Sequence, residues 1–210
     1  MSAAYPKRPT RPAGPLTRLK EDVLLEQPVL WRIQRTVGDH VLPWSALRHW
    51  GPAATMRFDP HPPPPGEHPE VGVTYTALDV TTAVTETFQQ QRIIDTIGGR
   101  PKATAWRPTR PLRLLNLADD WALRNGASHS LASGPRATCR TWARVIAGTW
   151  PDIDGLWSQS TLTGRTNVTL WTPAADTFPK SPDFSEYLDA APMWRVLREI
   201  ADRYPSFRLI

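Results

Sequence analysis

The chain has 210 residues, 40% of them hydrophobic, and a formal net charge of +5. That length favours one domain able to bury roughly 70% of its unfolded surface. No apolar run approaches the ~20 residues needed to cross a bilayer, and the N-terminus lacks the apolar stretch of a signal peptide, so a cytoplasmic protein without a membrane contact is expected. The one cysteine, Cys139, cannot form an internal disulfide and reads as a small core residue.

The charge is unevenly placed. Lys7, Arg8, Arg11, Arg18 and Lys20 put all of the excess in the first twenty residues, and the rest of the chain carries 20 basic and 20 acidic residues. Pro6, Pro9, Pro12 and Pro15 oppose helix and sheet there, so residues 1–24 are expected to form a disordered basic tail. A non-catalytic nucleic-acid or protein interaction module using this tail is the alternative of another class, and the neutral remainder argues against it.

Val29–Ile33 reads as a first strand. Residues 51–72, with Gly51, Pro52, Pro60, Pro62 to Pro65 and Gly66, must be a long loop. Gly72–Thr76 is a short β-branched strand. From Asp79 the apolar period becomes helical through Val80, Ala83, Val84, Thr87 and Gln91, with Asp79 as N-cap and Gly98-Gly99 as the expected close. Ala103–Trp106 and Leu112–Leu117 read as strands. A helix beginning near Pro135 places Trp142, Val145, Ile146 and Trp150 on one face. Ile153–Trp157 and Asn167–Thr172 are further strands, and Trp194, Leu197, Ile200, Ala201 and Tyr204 mark a last helix. Without regular βαβ repeats or a glycine fingerprint, the fold class is α+β, a single compact mixed-sheet domain. Its expected limits are 25–180, with a C-terminal helix over 181–210 packed on it.

Phosphate-loop, zincin and nucleophile-elbow motifs are missing. His40, His49, His61, His68 and His129 are scattered through loop-like contexts, so no metal is expected. Any chemistry must run on Arg, Tyr, Glu and Ser.

Four separated pieces have the composition of a dinucleotide site. They are Arg57-Phe58-Asp59-Pro60, Tyr75-Thr76-Ala77, Glu86, and Asp154-Gly155 running into Ser160. With Trp31-Arg32 before them, Ala83 between, and Asn167-Val168-Thr169-Leu170 after, the ordered set resembles the RES-domain family over roughly residues 29–172. These are toxins of bacterial toxin–antitoxin pairs, similar in fold to ADP-ribosyltransferases. The resemblance implies cleavage of the nicotinamide–ribose bond of NAD, with water or inorganic phosphate as acceptor. It also implies an Xre-type antitoxin partner and a tendency to form homodimers.

Carried over by position, Arg57 is the family arginine, Tyr75 the aromatic, Glu86 the acid and Ser160 the serine. Arg57 suits a bidentate pyrophosphate contact, Tyr75 a stack on nicotinamide, and Glu86 the ribose. Arg32 is a second phosphate candidate. This chain has Ala53-Ala54-Thr55-Met56 where the family often has glycines, and Ser158 where it usually has tyrosine, which makes Ser158 a rival to Ser160. ADP-ribosyl transfer to a macromolecule is the alternative chemistry.

Overall fold

The computed structural model describes residues 6–210. Strand β1 (Val23–Glu26) is followed by β2 (Leu30–Arg35) and by β3 (Trp50–Gly51), which pairs with β4 (Gly66–Glu67) to pinch the proline-rich loop at its neck. Strand β5 (Val73–Ala77) runs into helix α1 (Val80–Thr87), then β6 (Ile93–Ile94), β7 (Pro101–Trp106) and β8 (Leu112–Asn116). Helices α2 (Trp121–Arg124) and α3 (Arg136–Thr149) precede the hairpin of β9 (Gly155–Gln159) and β10 (Thr166–Trp171). Strand β11 (Phe184–Tyr187), helix α4 (Ala191–Arg203) and β12 (Arg208–Leu209) close the chain.

Eight strands form one sheet in the order β1-β8-β9-β10-β5-β2-β7-β11. Every neighbouring pair is antiparallel except β8 with β9. A parallel pair needs a long crossover, and α2 and α3 supply it. Alternation along the strands separates two faces. Val168 and Leu170 join Leu30, Trp106, Leu112 and Leu114 in one buried cluster. On the other face Val73, Leu156 and Trp171 meet Trp121, Trp142 and Ile146 of α2 and α3. A third cluster joins Val84 of α1 to Leu197 and Ile200 of α4.

The α+β reading holds, and the expected strands and the two later helices fall close to where periodicity puts them. Three details differ. Helix α1 stops at Thr87 and does not reach Gln91. Phe88 caps it, Arg92 adopts a positive φ of 55° while its N–H returns to the Phe88 carbonyl, and Ile93-Ile94 leaves to pair with β12. Burial of Ile94 outweighs continuation of a glutamine-rich helix turn. Next, β11 pairs with β7, so the sheet extends beyond residue 180 and the C-terminal segment belongs to it. Finally, the basic segment 6–19 lacks regular structure, as its prolines require, but it is not a loose tail. Trp142 Nε1 donates to the Pro9 carbonyl (2.8 Å), Trp121 Nε1 to Thr17 (3.0 Å) and Ser128 Oγ to Lys7 (2.7 Å). Proline removes a donor but not an acceptor, and buried indoles need acceptors. Residues 1–5 of the expected tail lie outside the described residues.

Asp154-Gly155 is a structural piece of the sequence pattern. Asp154 is buried and takes the Arg110 fork (2.8 and 2.9 Å) and the Arg113 N–H (2.8 Å), tying β8 to β9. A Cβ on Gly155 would overlap the Thr169 carbonyl of β10. Gly155→Ala is therefore expected to cost more than the ~1–3 kcal/mol of ordinary overpacking, read as a shift in the midpoint of chemical denaturation.

Candidate active site

A cavity of about 570 Å³ opens against β2, β5, α1 and the β9–β10 hairpin. Its walls include Arg32, Arg57, Tyr75, Glu86, Ser158 and Asn167. Residues separated by more than one hundred positions thus meet because β5 and β10 are sheet neighbours, with Tyr75 directly opposite Thr169 and Ala77 opposite Asn167.

Glu86 is placed by the start of its helix. Asp79 accepts from the Thr82 N–H (2.9 Å) and the Thr82 hydroxyl (2.8 Å), a side-chain N-cap. The same region is joined to the β9–β10 turn by Arg165 to Asp79 (3.0 Å) and by Thr82 Oγ1 with Thr163 Oγ1 (3.0 Å). Two turns along α1, half-buried Glu86 faces that hairpin. Ser160 Oγ donates to Glu86 Oε1 at 2.6 Å and accepts from the Leu162 and Thr163 N–H groups, both at 3.1 Å. Asn167 Nδ2 donates to the same Oε1 at 3.1 Å, and Gln89 Nε2 to Oε2 at 3.0 Å.

Arg57 sits in a loop gripped from three sides. Arg140 of α3 donates to the carbonyls of Ala54 (2.9 Å) and Met56 (3.2 Å). The Tyr75 hydroxyl donates to the Arg57 carbonyl (2.9 Å), and Trp171 Nε1 to that of Phe58 (3.2 Å). Phe58 holds a positive φ of 44°, uncommon for a bulky residue, and its buried ring fixes it there. Just beyond, Asp59 is buried and accepts from Arg48 (2.7 Å), Ala53 N–H (2.8 Å) and His61 Nδ1 (2.5 Å). These contacts fix the backbone and leave the Arg57 guanidinium without a carboxylate within 4.0 Å among the described residues. Its Nε is buried and unpartnered. A buried cationic donor with open hydrogens is poised for an anion.

Burial, and next the charge of Asp59, push the Tyr75 phenol far above its usual range, so it remains a neutral donor. Its partly buried ring lines the cavity. Arg32 reaches the cavity too, but its Nη1 already serves the carbonyls of Trp44 (3.0 Å) and Ala46 (3.1 Å). Burial and neighbouring Arg48 lower that guanidinium to about 10. Arg32 thus holds the 43–46 loop, and its anion contact would come from the rest of the fork.

The two serines have separate places. Ser158 is buried on β9, lies opposite Asn167 and lines the cavity, and its hydroxyl bonds to no side chain or backbone group among the described residues. Ser160 stands behind Glu86, with its one proton committed to the carboxylate. Ser160 therefore holds the Glu86 carboxylate from behind. Sequence reasoning placed Asn167 in the pattern without assigning it a role, and missed Gln89 and Arg140 altogether. Gln89 lies three residues from Glu86 on the same chain segment, a spacing that could have signalled it.

The RES-domain profile matches residues 29–191, more than three quarters of the chain. The chain belongs to the RES-domain family. The RES match spans every one of these site residues and ends at the start of α4. Among solved structures, the RES chain is similar to one in the crystal structure of the M. tuberculosis MbcT-MbcA toxin-antitoxin complex. The TM-score is 0.56 at 12% identity, covering 84% of this chain and 92% of that one, a likeness of fold. No curated protein sequence matches significantly. No helix is long and apolar enough to cross a membrane among the described residues.

Proposed function

We propose that this RES protein is a toxin of a toxin–antitoxin pair that destroys NAD by cleaving its nicotinamide–ribose bond. The observation carrying this reading is a carboxylate, Glu86, clamped by neutral donors on the wall of the cavity that also holds the Arg57 guanidinium, whose buried Nε has no partner among the described residues. In the reaction the ribose C1–nicotinamide nitrogen bond breaks and its electron pair leaves on the ring nitrogen, so nicotinamide departs neutral and needs no acid. Positive charge grows on the ribose. Water or phosphate then bonds to C1 and loses a proton to solvent.

The chain's task is to stabilise that growing charge and hold the parts still. Glu86 is set to accept ribose hydroxyls and offset the charge. Arg57 would take the pyrophosphate through its open fork, with the remaining donors of Arg32 as a second contact. Tyr75 offers its ring face to nicotinamide, and the Ser158 hydroxyl is available to the ligand. Ser160 holds Glu86 and does not touch substrate.

The resemblance further supports a small Xre-type antitoxin as partner, with toxicity in the cytoplasm as the outcome. The test is to incubate purified protein with NAD, with and without phosphate, and follow free nicotinamide. Wild type is expected to release it and Glu86→Ala to lose about 10²–10³ in rate. Equal, background-level release from both would end the enzyme reading. Labelled NAD appearing on a protein or nucleic acid instead of in small products would move the assignment to macromolecular ADP-ribosylation.

A further inference from the structure

We infer that Asn167 is a positioning residue that divides the work between the two oxygens of Glu86, holding Oε1 so that Oε2 alone meets the substrate. This rests on the glycosidic-cleavage reading above. Two donors converge on Oε1, Ser160 Oγ at 2.6 Å and Asn167 Nδ2 at 3.1 Å. One hydrogen bond fixes a distance but leaves the carboxylate free to turn about its own axis. A second, from another direction to the same atom, fixes the plane.

Both donors ride on one hairpin. Ser160 lies just past β9, and Asn167 lies inside β10, opposite Ser158 on one side and Ala77 on the other. Asn167 therefore stands on an interior strand with neighbours on both edges, the more rigid of the two mounts. Oε2 is held differently. Among the described residues it receives only Gln89 Nε2 at 3.0 Å, from a half-buried side chain beyond the end of α1 that also donates to the Glu86 carbonyl at 2.9 Å. A ribose hydroxyl can replace that amide without disturbing the clamp on Oε1.

The clamp uses neutral donors throughout. A lysine or arginine at 167 would also hold Oε1, but it would cancel the charge that the transition state needs. An asparagine orients the carboxylate and leaves its charge for the ribose.

The experiment compares wild type, Asn167→Ala and Asn167→Asp for nicotinamide release, ADP-ribose affinity and thermal midpoint. Asn167→Ala is expected to lower kcat about ten- to hundred-fold, the scale of a small misplacement, with KM and ADP-ribose affinity nearly unchanged. Asn167→Asp keeps the size of the side chain but faces Glu86 with a like charge, so its kcat falls further. A purely structural role would lower the thermal midpoint and leave the kcat of the folded fraction intact. Wild-type kcat in Asn167→Asp, or a loss confined to KM, overturns the inference while the parent reading stands. Wild type releasing no more nicotinamide than Glu86→Ala overturns both.

Discussion

Glu86→Gln is expected to lower kcat for nicotinamide release about 10²–10³-fold with little change in KM or in thermal midpoint. The substitution preserves shape, and the new amide can still turn its carbonyl oxygen toward Ser160 Oγ and Asn167 Nδ2. Two things change. The position of Oε2 becomes an NH₂ that faces the Gln89 amide, donor against donor, and displaces Gln89 from its contact. More important, the negative charge that the proposed cleavage relies on is gone. Charge of that kind acts on the transition state far more than on the ground state, so the loss belongs in kcat. Steady-state kinetics on NAD, with circular dichroism to verify the fold, separates the outcomes. A variant with unaltered kcat would mean that Glu86 holds the loop and does not serve the reaction.

Much of this site could be read before the fold was known, and the reason differs from residue to residue. Arg57, Tyr75 and Glu86 stand in a family pattern whose order survives, and β5, α1 and the loop before them are local features that periodicity and proline content reveal. What could not be read is who holds whom. Ser160 suited either a ribose hydroxyl or the carboxylate itself, and nothing local chooses between them, because it lies 74 residues from the carboxylate that takes its proton. Only the pairing of β9, β10 and β5 brings the two together. Arg140 belongs to a helix whose apolar face explains its sequence fully, so its grip on the Ala54 and Met56 carbonyls leaves no periodic trace. The segment 6–19 failed for a related reason. Its composition excludes helix and sheet, but two buried tryptophans that need acceptors recruit its carbonyls. Short elements set by tertiary pairing, such as β1 and β11, fell below what pattern can show.

Asp59→Asn is expected to destabilise the protein by about 3–5 kcal/mol, the usual cost of breaking a buried ion pair by removing one partner, and toward the lower figure because Arg48 is 22% exposed. The carboxylate is fully buried, and its oxygens accept from Arg48, Ala53 N–H, His61 N–H and His61 Nδ1. An amide has one acceptor oxygen, so its NH₂ must face donors from the loop. Burial alone would penalise the charge at Asp59, but the hydrogen bonds from His61, Ala53 and Arg48 overcome it and hold the carboxyl well below the usual range. The folded-state value therefore lies under the unfolded one of about 3.9. The resulting stabilisation is complete above that unfolded value and is lost as pH falls below it through the folded value. Denaturation midpoints taken from pH 7 down to pH 3 should decline for wild type in that window and change less for Asp59→Asn. The loop that Asp59 anchors also carries Arg57, so the variant should bind ADP-ribose more weakly even where it remains folded. A variant with wild-type stability and the same acid slope would remove Asp59 from the scaffold of the site and leave Arg140 and Tyr75 to hold Arg57.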